Sequence, residues 1–131
     1  MAVLLTGAAG FIGYHVAEAL LARGDEVVGV DNLNSYYDPQ LKEVRLARLA
    51  GRKGFRFLRL DIAEKSSLAR LAEEKSVEGI VHLAAQAGVR YSFTDPLAYV
   101  TANLVGHAHM LEVARALRVK DEFLANMSHE L

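Results

Sequence analysis

Three glycines, Gly7, Gly10 and Gly13, and one carboxylate, Asp31, are the residues whose types and spacing carry chemistry in this chain. The glycines follow directly on the apolar run Ala2-Val3-Leu4-Leu5-Thr6 and stand directly before a helix-like stretch. In a strand–turn–helix unit the first glycine permits a tight turn and the second lets the backbone approach a phosphate. The third lets the helix pack closely on the strand. The helix start then presents unpaired N–H groups and a positive dipole end to an anion. Together these make a site for a pyrophosphate.

The elements that must position these residues can be read on either side of them. Phe11, Ile12, Val16, Ala17, Leu20 and Leu21 recur at helical spacing, and Gly24 closes that helix. Glu26-Val27-Val28-Gly29-Val30 then reads as a second buried strand ending at Asp31. The acid stands about where a ribose-binding carboxylate belongs, roughly 20 residues beyond the turn. Ionised, it accepts hydrogen bonds from the adenosine ribose hydroxyls and repels a 2′-phosphate, so the expected dinucleotide is NAD rather than NADP. The alternative is an ordinary βαβ unit whose glycines serve only the turn.

Strand and helix keep alternating. Residues 39–49 predict a helix with Leu41, Val44, Leu46 and Leu49 inward and Lys42, Glu43, Arg45 and Arg48 exposed. Residues 55–60 alternate apolar and charged side chains, which suits a strand near a sheet edge, and end at Asp61-Ile62. A short helix is expected from Ser66-Ser67 to Lys75, and Gly79-Ile80-Val81-His82-Leu83 reads as a fourth strand, ending in Ala84-Ala85. A loop follows through Pro96, then a long helix from about Leu97, with Asp95-Pro96 as its start. The fold class is α/β: a Rossmann-type parallel sheet with helices on both faces. The expected spatial order is third, second, first, fourth strand, with the ligand outside their carboxyl ends, where Gly7, Asp31, Asp61 and Ala84 converge.

Composition sets outer bounds. The chain has 131 residues, 52% of them hydrophobic, enough for the core of one domain. A net charge of −1, with no basic block, argues against a nucleic-acid partner. The absence of cysteine excludes disulfides and thiolate-bound metals and makes a reducing cytoplasm the expected compartment. The first strand begins at residue 2, so no signal peptide is expected. The uncharged stretch 1–17 falls short of the roughly 20 residues of a membrane helix, so no membrane partner is expected.

Several runs resemble a known family. Thr6-Gly7-Ala8-Ala9-Gly10-Phe11-Ile12-Gly13 is similar to the cofactor fingerprint of the extended short-chain dehydrogenases/reductases, the nucleotide-sugar epimerases and dehydratases. Asp31-Asn32-Leu33-Asn34, Tyr36-Tyr37-Asp38, Leu60-Asp61-Ile62, the run from His82 to Ser92, Tyr99-Val100 and Asn103-Leu104-Val105-Gly106 look most like the UDP-glucuronate 4-epimerases. The resemblance covers residues 1–118. It implies that Gly7, Gly10, Phe11, Ile12 and Gly13 cradle the NAD pyrophosphate, that Asp31 and Asn32 hold the adenosine ribose, and that Asp61 and Ile62 flank the adenine. Leu83, Ala84, Ala85 and Gln86 would line the path to the nicotinamide ribose. Asn103 would brace the site through the backbone. Arg90 and Ser92 would touch the sugar nucleotide.

The chain also departs from the family's pattern. Its chemistry needs a tyrosine followed by lysine in Tyr-x-x-x-Lys, the tyrosine acting as base towards a sugar hydroxyl. Here Tyr14 is followed at that offset by Glu18, Tyr36 by Gln40, Tyr37 by Leu41, Tyr91 by Asp95 and Tyr99 by Asn103. The expectation is an NAD-binding portion, truncated after its fourth strand and inactive alone. A UDP-sugar would be bound only if a further lobe were supplied. NAD affinity should be reduced, and the open edge of the fourth strand predicts self-association.

The end of the chain carries a second resemblance. Asp121-Glu122-Phe123-Leu124-Ala125-Asn126-Met127-Ser128-His129-Glu130-Leu131 is similar to the phosphoacceptor helix of sensor histidine kinases, with His129 as phosphoacceptor and Glu130 assisting. Residues 119–131 are therefore expected to form a helical tail. No glycine or proline separates it from the preceding helix, and it is a second candidate for self-association. The alternative function is a signalling or interaction module. Among the other residues, His82 reads as a packed strand residue and His15 as exposed. His107 and His109 do not share a helix face. Tyr36-Tyr37-Asp38 reads as a loop anchor or an adenosine contact. Lys42, Arg45, Arg48, Arg52 and Lys53 read as a solvated face.

Overall fold

Residues 1–34, 39–86 and 90–119 are described by the computed structural model of the chain. Strands and helices alternate as β1 (Ala2–Thr6), α1 (Phe11–Ala22), β2 (Glu26–Asp31), α2 (Pro39–Ala50), β3 (Phe55–Arg59), α3 (Lys65–Leu71) and β4 (Gly79–His82). A helical region follows, made of α4 (Tyr91–Thr94), α5 (Pro96–Tyr99), a π-helical segment (Val100–Val105) and α6 (Gly106–Ala116). The four strands pair in parallel in the order β3-β2-β1-β4. This is the order the sequence predicts. Register aligns Thr6 with Val30 on one side and with His82 on the other, so the carboxyl ends of β1, β2 and β4 finish at one level.

The sheet is buried on both faces, as parallel sheets are. Leu4, Val28, Val30 and Ile80 point to one side and meet Ile62, Leu71, Met110 and Val113. Val3, Leu5, Val27 and Val81 point to the other and meet Ala17 and Leu21 of α1 and Leu49 of α2. Each fully buried aliphatic side chain contributes about 1.5–3 kcal/mol. The alternation along each strand therefore locks the register that lines up the strand ends.

Three elements differ from expectation. The helix α3 stops at Leu71 rather than Lys75, and the chain turns through Glu74 N–H to Leu71 C=O and Val77 N–H to Glu74 C=O. The turn buries Val77 in the core and brings the Glu74 carboxylate to Arg56 of β3 and Arg70. Burial alone would raise the Glu74 pKa, but the hydrogen bonds from Arg56 and Arg70 outweigh it and hold the carboxyl below its ordinary value. The loop expected before Pro96 contains α4. Asp95, whose carboxylate accepts from Ala98 N–H at 3.3 Å, then restarts the helix with Pro96 in its first turn.

The last difference is at the end of α6. Arg118 adopts φ +56°, Arg118 N–H reaches Arg115 C=O at 3.1 Å and Val119 N–H reaches Ala114 C=O at 2.9 Å. This pair of bonds is a Schellman closure, with arginine where glycine is usual. The helix therefore ends at Ala116 without the glycine or proline that the sequence reading required, and Val119 folds back onto the core. The expected tail, His129 and the segment Tyr36-Tyr37-Asp38 lie outside the described residues. Among the described residues no helix is long and apolar enough to cross a membrane.

Candidate functional site

The site grows from Thr6, the last residue of β1. Its Oγ1 accepts from Leu83 N–H at 3.0 Å and Ala84 N–H at 3.1 Å, and lies 2.7 Å from His82 Nδ1. A hydroxyl has two lone pairs and one proton. With both lone pairs occupied, the proton goes to His82, whose Nδ1 is therefore the acceptor and whose proton sits on Nε2. Thr6 thus ties the chain leaving β4 to the turn leaving β1.

That turn is closely packed. Gly7 has φ +75°, and a Cβ there would lie 2.9 Å from the Ala84 nitrogen and the Leu83 carbonyl carbon. Gly13, in the first turn of α1, packs against Gly7 so tightly that a Cβ would fall 1.9 Å from its carbonyl oxygen. Gly10 starts the helix with φ −74° and ψ 170°, and no side chain caps α1. An α-helix leaves its first N–H groups without intrahelical partners. Here the groups of Phe11, Ile12 and Gly13 follow a start with no side-chain cap, next to the glycine turn. This arrangement fits a pyrophosphate on chemical grounds. The Phe11 ring is exposed and meets the His15 ring edge-on, while His15, exposed as expected, donates Nδ1–H to Phe11 C=O.

Asp31 ends β2 and is almost buried. Its Oδ2 accepts from Ala9 N–H at 3.0 Å, so the acid holds the glycine turn directly. Its Oδ1 accepts from Leu33 N–H at 2.8 Å, across a bend in which Leu33 itself takes φ +56°. A leucine in the left-handed region stores strain of a kind that concentrates at functional sites. Each carboxylate oxygen retains a further lone-pair direction for a ligand hydroxyl. Asn32 is exposed beside it and accepts from Asn34 N–H.

The helix α2 overturns one expectation. Lys42 and Arg45 do not belong to a solvated face. Lys42 is only 6% exposed, and its Nζ donates to Asn34 Oδ1 at 3.1 Å and to Asn34 C=O at 3.3 Å, 4.0 Å from Asp31 Oδ1. Arg45 Nη1 donates to Ala9 C=O at 3.0 Å. Leu41 and Val44, expected inward, are instead 52% and 53% exposed. The i, i+3, i+7 line Lys42, Arg45, Leu49 is the inward one. The spacing is present in the sequence, but charged side chains at helical spacing ordinarily mark a solvated face.

Elsewhere the residues named from sequence fall at the same end of the sheet with varied roles. Asp61 Oδ1 accepts from Ala63 N–H at 2.9 Å. The Ile62 side chain belongs to the core against Gly106, and its carbonyl accepts from His109 Nδ1–H. Asn103 lies in the π-helical segment and grips Gln86 twice: its Oδ1 accepts from Gln86 N–H at 2.7 Å and its Nδ2 donates to Gln86 C=O at 3.3 Å. Such wide turns recur at functional sites. Ala85 is half-buried beside them, and Arg90 and Ser92 stand at the start of α4. A surface depression of about 400 Å³ between α2 and β3, lined by Glu43, Leu46, Phe55 and Phe57, shares no residue with this site. Among the described residues no three His, Cys, Asp or Glu side chains converge as a metal site.

His82 is fully buried, as a packed strand residue is expected to be, with its ring 5.3 Å from that of His107. Its Nε2 has no hydrogen-bond partner among the described residues. Burial, and secondly the charge of His107, push its pKa down to about 4. An unfolded histidine titrates near 6.5, so between the two values the unfolded chain binds the proton and the folded chain does not. The resulting stability is complete above about pH 6.5 and is lost as pH falls towards 4, by up to about 3 kcal/mol. Urea midpoints measured from pH 7 to 4.5 should fall accordingly. His82→Asn, which keeps an acceptor for Thr6, should be less stable at pH 7 but should flatten that part of the profile.

The comparisons with known proteins bear on the whole of this geometry. The sequence model of the GDP-mannose 4,6 dehydratase family matches residues 4–130. The chain belongs to that family. A probable UDP-glucuronate 4-epimerase of Rhizobium meliloti is 50% identical over 128 residues, 98% of this chain and 38% of that protein. UDP-glucuronate 4-epimerase 4 of Arabidopsis thaliana is 47% identical over 88% of this chain and 26% of its own length. Among solved structures, the UDP-glucuronic acid 4-epimerase of Bacillus cereus, in complex with UDP-glucuronic acid and NAD, superposes with a TM-score of 0.78 at 36% identity, over 88% of this chain and 36% of that one. The chain therefore spans well under half the length of these relatives. The family match runs through the segment beyond Lys120. The histidine-kinase resemblance around His129 finds no support in it, and the signalling alternative is not favoured.

Proposed function

We propose that this chain is the NAD-binding portion of a nucleotide-sugar epimerase of the UDP-glucuronate 4-epimerase type, and that it binds cofactor without turning over sugar by itself. One observation carries the reading. The uncapped start of α1 lies against a glycine turn in which a Cβ on Gly7 or Gly13 would clash with backbone, and Asp31 holds that same turn through Ala9 N–H. Gly7, Gly10, Phe11, Ile12 and Gly13 then take the pyrophosphate, and Asp31 with Asn32 takes the adenosine ribose. Asp61 and Ile62 border the adenine. Leu83, Ala84, Ala85 and Gln86, braced by Asn103, form the approach to the nicotinamide ribose, and Arg90 and Ser92 face the sugar nucleotide.

When bound, NAD supplies a reversible hydride acceptor for a sugar carbon. This chain's own residues hold and orient it. No tyrosine of the chain is followed at the needed offset by lysine, so the base that such chemistry requires is not among them. A UDP-sugar partner is correspondingly a property of a longer assembly. The cysteine-free composition fits a reducing cytoplasm.

Calorimetric titration with NAD tests the reading. The expected result is saturable 1:1 binding, accompanied by shifts of the Gly10 to Gly13 amide resonances. Saturating NAD that leaves those amides unmoved would overturn it.

The same reading includes self-association. In the described sheet β4 has a neighbour on one side only, and its four residues are buried. An unpaired edge of this kind recruits another strand. The exposed Leu97, Leu104 and Leu111 on the α5–α6 side provide a second route. Sedimentation velocity should show dimers or larger species rising with concentration. A strict monomer at hundreds of micromolar would exclude both routes.

A further inference from the structure

We propose that the outer edge of β3 is a docking site for an extended segment of a partner protein, one that carries an apolar side chain between two carboxylates.

Three features meet at this edge. The first is backbone. Among the described residues β3 ends the sheet and pairs with β2 alone. Its ladder is fixed at one end by Val27 N–H to Gly54 C=O and at the other by Leu60 N–H to Asp31 C=O. In a parallel ladder alternate residues of a strand bond to the same neighbour. Residues 54, 56, 58 and 60 therefore face β2, and the N–H and C=O groups of Phe57 and Arg59 face outward. The second feature is shape. The depression of about 400 Å³ beside this edge is lined by Phe55 and Phe57 of the strand and by Glu43, Leu46, Ala47 and Ala50 of α2. Side chains alternate along a strand, so Arg59 shares the face of Phe55 and Phe57. The third is charge. Lys53, in the turn before β3, and Arg59, at its end, are exposed, and neither makes an ion pair among the described residues. Arg56 lies on the opposite face, where Glu74 takes it.

These features select the occupant. An added strand takes its affinity from main-chain hydrogen bonds and its specificity from alternate side chains in pockets. The groove offers an apolar side chain two phenylalanine rings. The Glu43 carboxylate disfavours an acid at that point, while Lys53 and Arg59 favour acids towards either end of the strand. Cations on a sheet edge ordinarily keep copies of a chain apart. Residues 53–60 hold three cations and no carboxylate, so a second copy would bring like charges to the seam. An acidic segment meets the same charges with the opposite sign.

NMR titration of the isotope-labelled chain with three capped peptides tests the proposal: Asp-Thr-Leu-Thr-Asp, Lys-Thr-Leu-Thr-Lys and Asp-Thr-Ser-Thr-Asp. In each, the first, third and fifth side chains share a face. The first peptide should shift the Phe57 and Arg59 amide resonances and saturate with a Kd below about 1 mM. The lysine and serine peptides should bind roughly tenfold more weakly or worse. Methylation of alternate peptide nitrogens should abolish binding in one phase and spare it in the other, as pairing along one side of the added strand requires. Arg59→Glu, at an exposed and unpaired position, should erase the preference for the acidic peptide over the lysine peptide. Four results would each overturn the proposal: Phe57 and Arg59 amides that do not move, equal binding of the acidic and lysine peptides, a preference that survives Arg59→Glu, or shifts of those two amides that follow protein concentration without peptide, the sign of a second copy. NAD binding by the chain is independent of all of them.

Discussion

Gly13→Ala is expected to remove a large part of the stability of the fold and all measurable NAD binding. Two effects oppose each other at this position. Replacing glycine by alanine inside a helix ordinarily stabilises by about 1 kcal/mol. Here the added methyl would sit 1.9 Å from the Gly7 carbonyl oxygen and 2.7 Å from its carbon, both backbone atoms. No rotamer relieves that contact, so either α1 or the turn must move by more than an ångström. Overpacking against movable side chains already costs about 1–3 kcal/mol. Against fixed backbone the loss should reach about 3 kcal/mol or more, a large part of the 5–15 kcal/mol typical of a domain. Gly10→Ala is the matched comparison, since its Cβ would meet only the Gly7 oxygen, at 3.3 Å. Urea denaturation should therefore rank wild type and Gly10→Ala well above Gly13→Ala. Equal midpoints for the two variants would contradict the close packing of α1 on the turn.

Asp31→Ala should have the next largest effect, and on two readouts at once. It leaves the N–H groups of Ala9 and Leu33 without their acceptor and Lys42 without its counter-charge. A buried donor left unsatisfied costs about 1–3 kcal/mol, and an uncompensated buried charge more. A stability loss on the order of 3 kcal/mol is expected. NAD affinity should fall in parallel, by about 10- to 100-fold, as charge-assisted bonds to the ribose hydroxyls are lost. Asp31→Asn should lie between the two on stability. An Asp31→Ala protein that binds NAD as tightly as the wild type would show that the acid serves the turn alone.

The contrast between Gly13 and Lys42 explains what could be read ahead of the structure. The strand order, the glycine turn and the acid at the end of β2 were legible because each depends on local spacing or on a rule of parallel-sheet topology. The apolar alternation of residues 2–6 and 26–30 identifies buried strands wherever it occurs. Asn103 was legible only through resemblance, because its contact with Gln86 joins the π-helical segment to the stretch that follows β4, a pairing that local spacing does not specify. The inward face of α2 was misread because Lys42 and Arg45 are stabilised by oxygens of Asn34 and Ala9, and partners that distant in sequence leave no periodic trace. The end of α6 was misread for a related reason. Arg118 closes it in a conformation that glycine usually marks, and folding Val119 onto the core is what sustains that choice. Thr6 is legible only as the end of a strand and the first residue of the fingerprint; the role of its hydroxyl emerges from the three groups found around it.

Ala9 has both halves of its peptide environment committed. Its N–H is taken by an acid from β2 and its carbonyl by an arginine from α2. The loop it belongs to is thereby stapled from two directions by elements that also make the core. Such a loop has no independent melting step. Its shape is acquired when the sheet assembles and lost only when the sheet comes apart, so a ligand arriving there meets a receptor whose ordering entropy was spent during folding.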